Sequence, residues 1–371
     1  MSNLGQVRLE SLGKPTATIV CCLILLACGG LVAGSPVVAQ EKSEKSIEEK
    51  VIPSLADGLP LKATYYKSSE GKDAAVVLLL HMKGESRLVW SAPLPNMQPP
   101  KSFAEQLQGK GFAVLAVDLR KHGQSKLGAD TDDSKKAAPA DKSKKAVGGT
   151  DLRPLDYQLM VRDMDAIKRF IYEEHQKGHL NMRKMAIVAP GMSAAIGITF
   201  AAEDWRKVPW DDAANVAGRT PRGQDVQAMV FLSPEITLPG VAAHQVIPQF
   251  KAMGAPMAAL ILVGSSDKQG KEQALTLFKQ LGGEPAKAAP PKKAADPKKV
   301  AKEKEKEKEK EAEKEVKERL FYIELNAKIG GTELLGKKLG VEDAVIGFLT
   351  DHVQTLKGPD YDWRDRKSRL E

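Results

Sequence analysis

Lys184-Met185-Ala186-Ile187-Val188-Ala189-Pro190-Gly191-Met192-Ser193-Ala194-Ala195 decides how the rest of this chain is read. After its leading lysine, the run 184–188 is continuously apolar, which suits a strand covered on both faces. Residues 194–202 are again apolar and suit a helix. Between them stands a turn of small residues. A strand that ends in such a turn and passes straight into a helix leaves one turn residue displayed at the strand's carboxyl end. Whether a reactive side chain stands there decides the chemistry.

The same alternation extends in both directions. Residues 61–67 alternate as a first strand, and 74–80, 112–117, 226–232, 257–263 and 320–325 are further apolar runs of strand length. Helical patterns cover 102–107, 157–176, 244–253, 270–281 and 341–356, the second with Leu159, Met164, Ile167 and Ile171 on one face. Strands alternating with helices imply an α/β, mostly parallel, doubly wound sheet with flanking helices. Ligands of such sheets bind at the carboxyl ends of the strands.

The remaining segments read differently. Residues 1–39 hold Arg8 and Lys14, then an apolar run, then small residues, the pattern of an export signal, with cleavage expected near Ala39. The alternatives are a lipoprotein signal in which Cys28 is lipidated, and an uncleaved N-terminal segment, either of which would associate the chain with a membrane. All three cysteines, Cys21, Cys22 and Cys28, lie in this segment, so cleavage at Ala39 leaves no thiol for a disulfide, nucleophile or metal site. Export to a periplasm or cell envelope follows as the expectation. Residues 40–60 read as a polar tether, 61–356 as the folded domain and 357–371 as a C-terminal tail. The domain is interrupted at 129–149 and 283–317 by Lys-, Ala- and Pro-rich stretches that lack the apolar residues of a core. The formal charge of +8 owes much to these stretches. They interleave no aromatics, which argues against a nucleic-acid surface. One reading makes the lysine-rich insertions a contact for anionic envelope surfaces. Alternating Lys and Glu from Lys302 nearly neutralises the second of them.

Val117-Asp118-Leu119-Arg120-Lys121-His122-Gly123-Gln124-Ser125 follows the second apolar strand. It resembles the strand-end sequence D-x-R-G-x-G-x-S of the α/β-hydrolase superfamily, with Lys121 in place of a glycine. Taken with the strand order, the chain resembles dienelactone hydrolases and serine esterases of that superfamily, with a degenerate catalytic triad. The resemblance covers about 61–356 without the insertions. It implies that His81-Met82-Lys83-Gly84 is the oxyanion loop, with the Met82 backbone N–H as a donor. It implies a small lid, since only about two dozen residues separate 226–232 from 257–263. It also places the acid of the triad at Asp267, which is as readily a helix cap.

Aligned strand on strand, the family's G-x-S-x-G falls on Ala189-Pro190-Gly191-Met192-Ser193, and the nucleophile position is Gly191. A second register, Gly191-Met192-Ser193-Ala194-Ala195, makes Ser193 the nucleophile but requires the strand to run through Pro190. The family's histidine belongs in the loop after the last strand, and residues 326–333 contain none. His352 falls inside the final helix, while His81 and His122 stand at strand ends as alternative bases. His175 and His179 have helix-face metal spacing without the glutamate of H-E-x-x-H, so no metal and no cofactor are expected. The resulting expectation is a pseudo-hydrolase with a binding or structural role, its ligand or protein partner unspecified. The alternative is an atypical serine esterase or peptidase using Ser193, Asp267 and His81 or His122.

Overall fold

The computed structural model describes residues 46–95, 97–126, 152–283 and 319–370. The N-terminal segment and both low-complexity insertions, Gly283 apart, lie outside these residues. Among the described residues no helix is long and apolar enough to cross a membrane.

Eight strands build one sheet: β1 Ile47–Pro53, β2 Pro60–Tyr66, β3 Ala75–Leu79, β4 Ala113–Val117, β5 Asn181–Pro190, β6 Val226–Leu232, β7 Ala258–Gly264 and β8 Leu320–Leu325. Their order is β1-β2-β4-β3-β5-β6-β7-β8. β3 to β8 pair in parallel, while β1 and β2 pair antiparallel at one end. Order and direction together are those of the α/β-hydrolase fold.

Strand periodicity explains why these runs are apolar throughout. Val76, Leu78 and Leu80 face one half of the core, and Ala75, Val77 and Leu79 face the other. On the first face pack α3 Pro154–Gln176, α4 Ser193–Arg206, α5 Ala243–Ala252 and α6 Lys268–Gln280. On the second pack the single turn α1 Leu88–Ser91, then α2 Phe103–Gly109 and α7 Val341–Leu349. α7 continues as a π-helical turn, Thr350–Gln354. With both faces covered, the central strands β3 to β7 carry charge only near the start of β5, at Arg183 and Lys184.

Residues 47–53, expected to lie in a tether, form edge strand β1 instead, paired with β2 along its whole length. The folded unit accordingly starts near Lys45 and includes the C-terminal segment. Only Ile52 of β1 is buried, and Lys67 pairs with Glu48 at 2.9 Å across the edge. One buried residue among charged ones gives no apolar run, and charges on an edge strand are a usual guard against further pairing.

The connection from β3 goes to β4 on one side, and α3 then carries the chain back across β3 to β5 on the other. β3 and β5 are therefore the topological switch point, where the chain leaves their carboxyl ends in opposite directions and opens a crevice. His81 and Met82 follow β3, and Gly191 follows β5.

Candidate functional site

β5 runs through Pro190, contrary to the expectation that proline would stop it. The last β3–β5 bond is Leu80 N to Val188 O, 3.0 Å, and Gly191 N donates to Leu232 O of β6, 3.1 Å. The missing N–H of Pro190 faces β3 at the next rung, where Leu80 O accepts Trp90 Nε1–H instead, 2.8 Å. The strand therefore does not choose between the two registers. Backbone conformation does. Gly191 has φ +50°, the strained setting of a residue displayed at a strand-to-helix turn, whereas Ser193 is the first residue of α4. The Ser193 hydroxyl is buried and donates to Pro190 O, 2.7 Å. Of the two, Gly191 takes the left-handed turn and Ser193 opens the helix.

A Cβ on Gly191 would sit 3.2 Å from Met82 Cγ and 3.7 Å from Glu235 Oε1. Met82 thus packs beside the place a side chain at 191 would take. Its Sδ accepts from Thr332 N at 3.3 Å, in the loop after β8. Gly331, at φ +59°, lies so close beneath the thioether that any side chain there would collide with it. The backbone N–H of Met82, the oxyanion donor implied by the resemblance, donates to Glu85 Oε2 at 3.1 Å. Glu85 also accepts from the Thr332 hydroxyl, so one carboxylate ties the loop after β3 to the loop after β8. The result is a closed bridge of Met82, Glu85 and Thr332 across the crevice.

The histidines serve this scaffold. His81 is fully buried, gives its Nδ1–H to Met82 O at 2.8 Å and accepts Leu119 N at Nε2, 2.9 Å. Burial holds its pKa down at about 4, with His122 adding to the effect, so the ring is neutral. His122 gives Nδ1–H to Arg120 O, 2.9 Å, and its Nε2 is buried without a partner among the described residues. The two rings stand 5.0 Å apart, centroid to centroid. Neither is a hydrogen-bond partner of Ser193. His352 packs on Phe348 and Phe321, near the start of β8 and so at the opposite end of the sheet. His175 gives Nε2–H to Arg364 O, 2.9 Å, and accepts Met182 N, whereas His179 pairs with Glu174.

Asp267 follows β7 and caps α6 by accepting Gly270 N at Oδ1, 2.9 Å. Its other oxygen lies against Gly330, where a Cβ would be 2.5 Å from Asp267 Oδ2 and 2.5 Å from Ser233 Oγ. This is the loop that contains no histidine, and Asp267 here faces the bare backbone of Gly330. Ser233, left-handed at φ +46°, keeps its hydroxyl buried and unpartnered. Glu235 completes the lining, its N–H donating to Gly191 O at 3.0 Å. Burial raises the Glu235 pKa, Lys83 lowers it and Asp267 raises it further. Sequence reasoning missed Glu85, Ser233 and Glu235. Each stands just past a strand end, and position alone could have flagged them.

The turn after β4 is structural. Asp118 accepts Arg87 N at 2.6 Å, Arg87 Nη1 at 2.5 Å and Gln124 N at 2.8 Å. Gly123, at φ +51°, lies over that carboxylate with no room for a side chain. Lys121 adopts φ +62°, the conformation that the motif's glycine takes freely, and its amine reaches Asp156 at 2.8 Å.

The thioether contact has a measurable consequence. Gly331→Ala forces a side chain into a left-handed position and against Met82, at an expected cost of about 1–3 kcal/mol. Adding Met82→Ala should recover part of that loss, because the clash is removed. Urea unfolding of both single variants and the double reads the coupling. Strictly additive losses would place Met82 elsewhere.

An α/β-hydrolase fold whose elbow carries glycine and whose crevice is bridged by its own residues is the class these observations define. No protein-family model matches the chain, and no curated protein matches it. Among solved structures, the dienelactone hydrolase of Anabaena variabilis is similar over 83% of this chain and 97% of its own, at 17% identity and a TM-score of 0.45. A cold-adapted esterase from an Arctic intertidal metagenomic library is similar over 85% and 98%, at 12% identity and a TM-score of 0.45. A hypothetical protein of Pseudomonas aeruginosa is similar over 82% and 93%, at 11% identity and a TM-score of 0.46. Likenesses this distant speak to fold and carry nothing about activity.

Proposed function

We propose that this chain is an exported α/β-hydrolase-fold protein that binds a ligand or partner at its strand ends and does not hydrolyse esters through a serine. The observation that carries the reading is Gly191 at the displayed elbow position, with φ +50° and Met82 packed over it. Serine hydrolysis needs a hydroxyl there, a base to take its proton and a free donor for the oxyanion. Gly191 has no hydroxyl, residues 326–333 bring no imidazole, and the Met82 N–H is occupied by Glu85. Triad members act as a unit, so these absences compound. Export rests on the basic, then apolar, then small-residue pattern of residues 1–39 and places the protein in the periplasm or envelope.

The test is treatment of the purified protein with a fluorophosphonate probe and a p-nitrophenyl ester, beside a Ser193→Ala control. Neither labelling nor turnover above the control is expected. Labelling lost in Ser193→Ala would overturn the reading and establish an esterase using Ser193.

A further inference from the structure

Three carboxylates converge on the bridged crevice without an ion-pair partner among the described residues. Glu235 stands beside Gly191, Asp267 beside Gly330, and Glu85 under Met82 and Thr332. Lys83, exposed at the rim, bears on Glu235 but forms no ion pair with it. Unpaired carboxylates in a partly desolvated crevice create a negative potential with low-dielectric walls, which draws cations. A second observation points the same way. Ser233 is only 7% exposed, and its hydroxyl has no partner and faces the point where the Asp267 carboxylate also converges. A buried polar group left unsatisfied is uncommon and asks for a missing partner. The cover over both groups is Gly330, which has no side chain to move aside.

The spacing decides which cation. No group of three or more His, Cys, Asp or Glu side chains among the described residues closes around a single ion. Glu235 and Glu85 lie beside Met82 and Asp267 beside Gly330 instead, and the Met82 thioether is a soft apolar surface. Separated charges around an apolar centre suit an organic cation, with its charge facing carboxylates and its carbon on sulfur.

From this arrangement we propose that the crevice at the ends of β3, β5, β6 and β7 binds a small organic ammonium compound, with Glu235 and Asp267 as its counter-charges. The inference rests on the binding reading above and names its ligand class.

Calorimetric titration of the purified full chain with choline and with benzyltrimethylammonium tests it, beside 3,3-dimethyl-1-butanol, the uncharged isostere of choline. At least one cation should bind, and the isostere should bind at least about tenfold more weakly. Glu235→Gln should weaken the cation by about tenfold or more. Asp267→Asn should do the same while its amide oxygen still caps α6, and unchanged melting temperatures would show both variants folded. Equal binding of choline and its isostere, no binding of either cation, or binding indifferent to both variants would overturn the assignment. Each of those outcomes leaves the non-hydrolytic reading standing. Ester turnover would fell that reading, whereas the charge preference is read from the titrations alone.

Discussion

Arg366→Ala is expected to lower folding stability by about 3–5 kcal/mol, the usual cost of leaving a buried charge uncompensated. Arg366 belongs to the C-terminal segment, yet its guanidinium is buried and grips Asp225 at 2.5 and 2.9 Å. Lys168 of α3 contacts the same carboxylate at 2.6 Å and also pairs with Asp204 of α4. Asp204 in turn accepts the Asp225 N–H at 2.8 Å. Two cations and two anions balance in this cluster, which joins α3, α4, the entry to β6 and the chain end. Burial alone would push Asp225 up, but Arg366 and Lys168 outweigh it and hold its carboxyl below the usual range. Removing Arg366 leaves two buried carboxylates to one ammonium. Equilibrium urea unfolding measures the loss. The double variant Arg366→Ala, Asp225→Asn should recover part of it, because one charge goes with the other. A loss below about 1 kcal/mol would mean that water already reaches the cluster.

That cluster also shows where sequence reading stops. Residues 357–371 were expected to be a tail because they are short, polar and free of periodicity. Their role comes from pairs far apart in sequence, such as Arg366 with Asp225 and Trp363 Nε1 with His175 O, which no local pattern encodes. The central sheet was legible because each strand is buried on both faces and so carries an uninterrupted apolar run. β6 and β8 coincide with the expected 226–232 and 320–325. β1 was illegible for the converse reason, with one buried residue among charges. At the elbow, the sequence supplied both registers, and the argument from Pro190 did not separate them. Backbone conformation distinguishes them, Gly191 being left-handed at φ +50° and Ser193 the first residue of α4. Met82 was legible as a residue of the implied oxyanion loop. That its side chain would cross to Gly331 and Thr332 was not, since 249 residues separate Met82 from Gly331 and only the fold brings them together.

The elbow glycine, the bridging Met82 and the bare Gly330 are mutually consistent. A serine at position 191 would meet Met82, and a histidine at 330 would meet Asp267 and Ser233. A side chain at 191 would need Met82 to give way slightly, whereas one at 330 would collide with both neighbours.

Stability should fall as pH drops from 6.5 towards 5, and His81 should account for about 1 kcal/mol of the loss per pH unit. The folded pKa of His81 is about 4 against an ordinary 6.5, because burial opposes the charged ring and outweighs the favourable Met82 carbonyl and Asp118. Above pH 6.5 both folded and unfolded chains leave His81 neutral. Below it the unfolded chain takes up a proton that the folded chain refuses, so folding loses stability until pH reaches the folded value. Burial lowers His122, His175 and His352 as well, and they act in the same direction. Glu235 and Glu203, raised by burial, act against it. The depressed carboxylates Asp57, Asp156, Glu174 and Asp225 surrender their contribution only at lower pH, which keeps the window between 6.5 and 5 readable. Urea unfolding across that window gives the slope. His81→Gln retains a donor for Met82 O and an acceptor for Leu119 N without a titrating ring, so its slope should be shallower by about 1 kcal/mol per pH unit. An identical slope in both proteins would show that His81 protonates in place, and that the bridge between the β3 and β4 loops opens to let it.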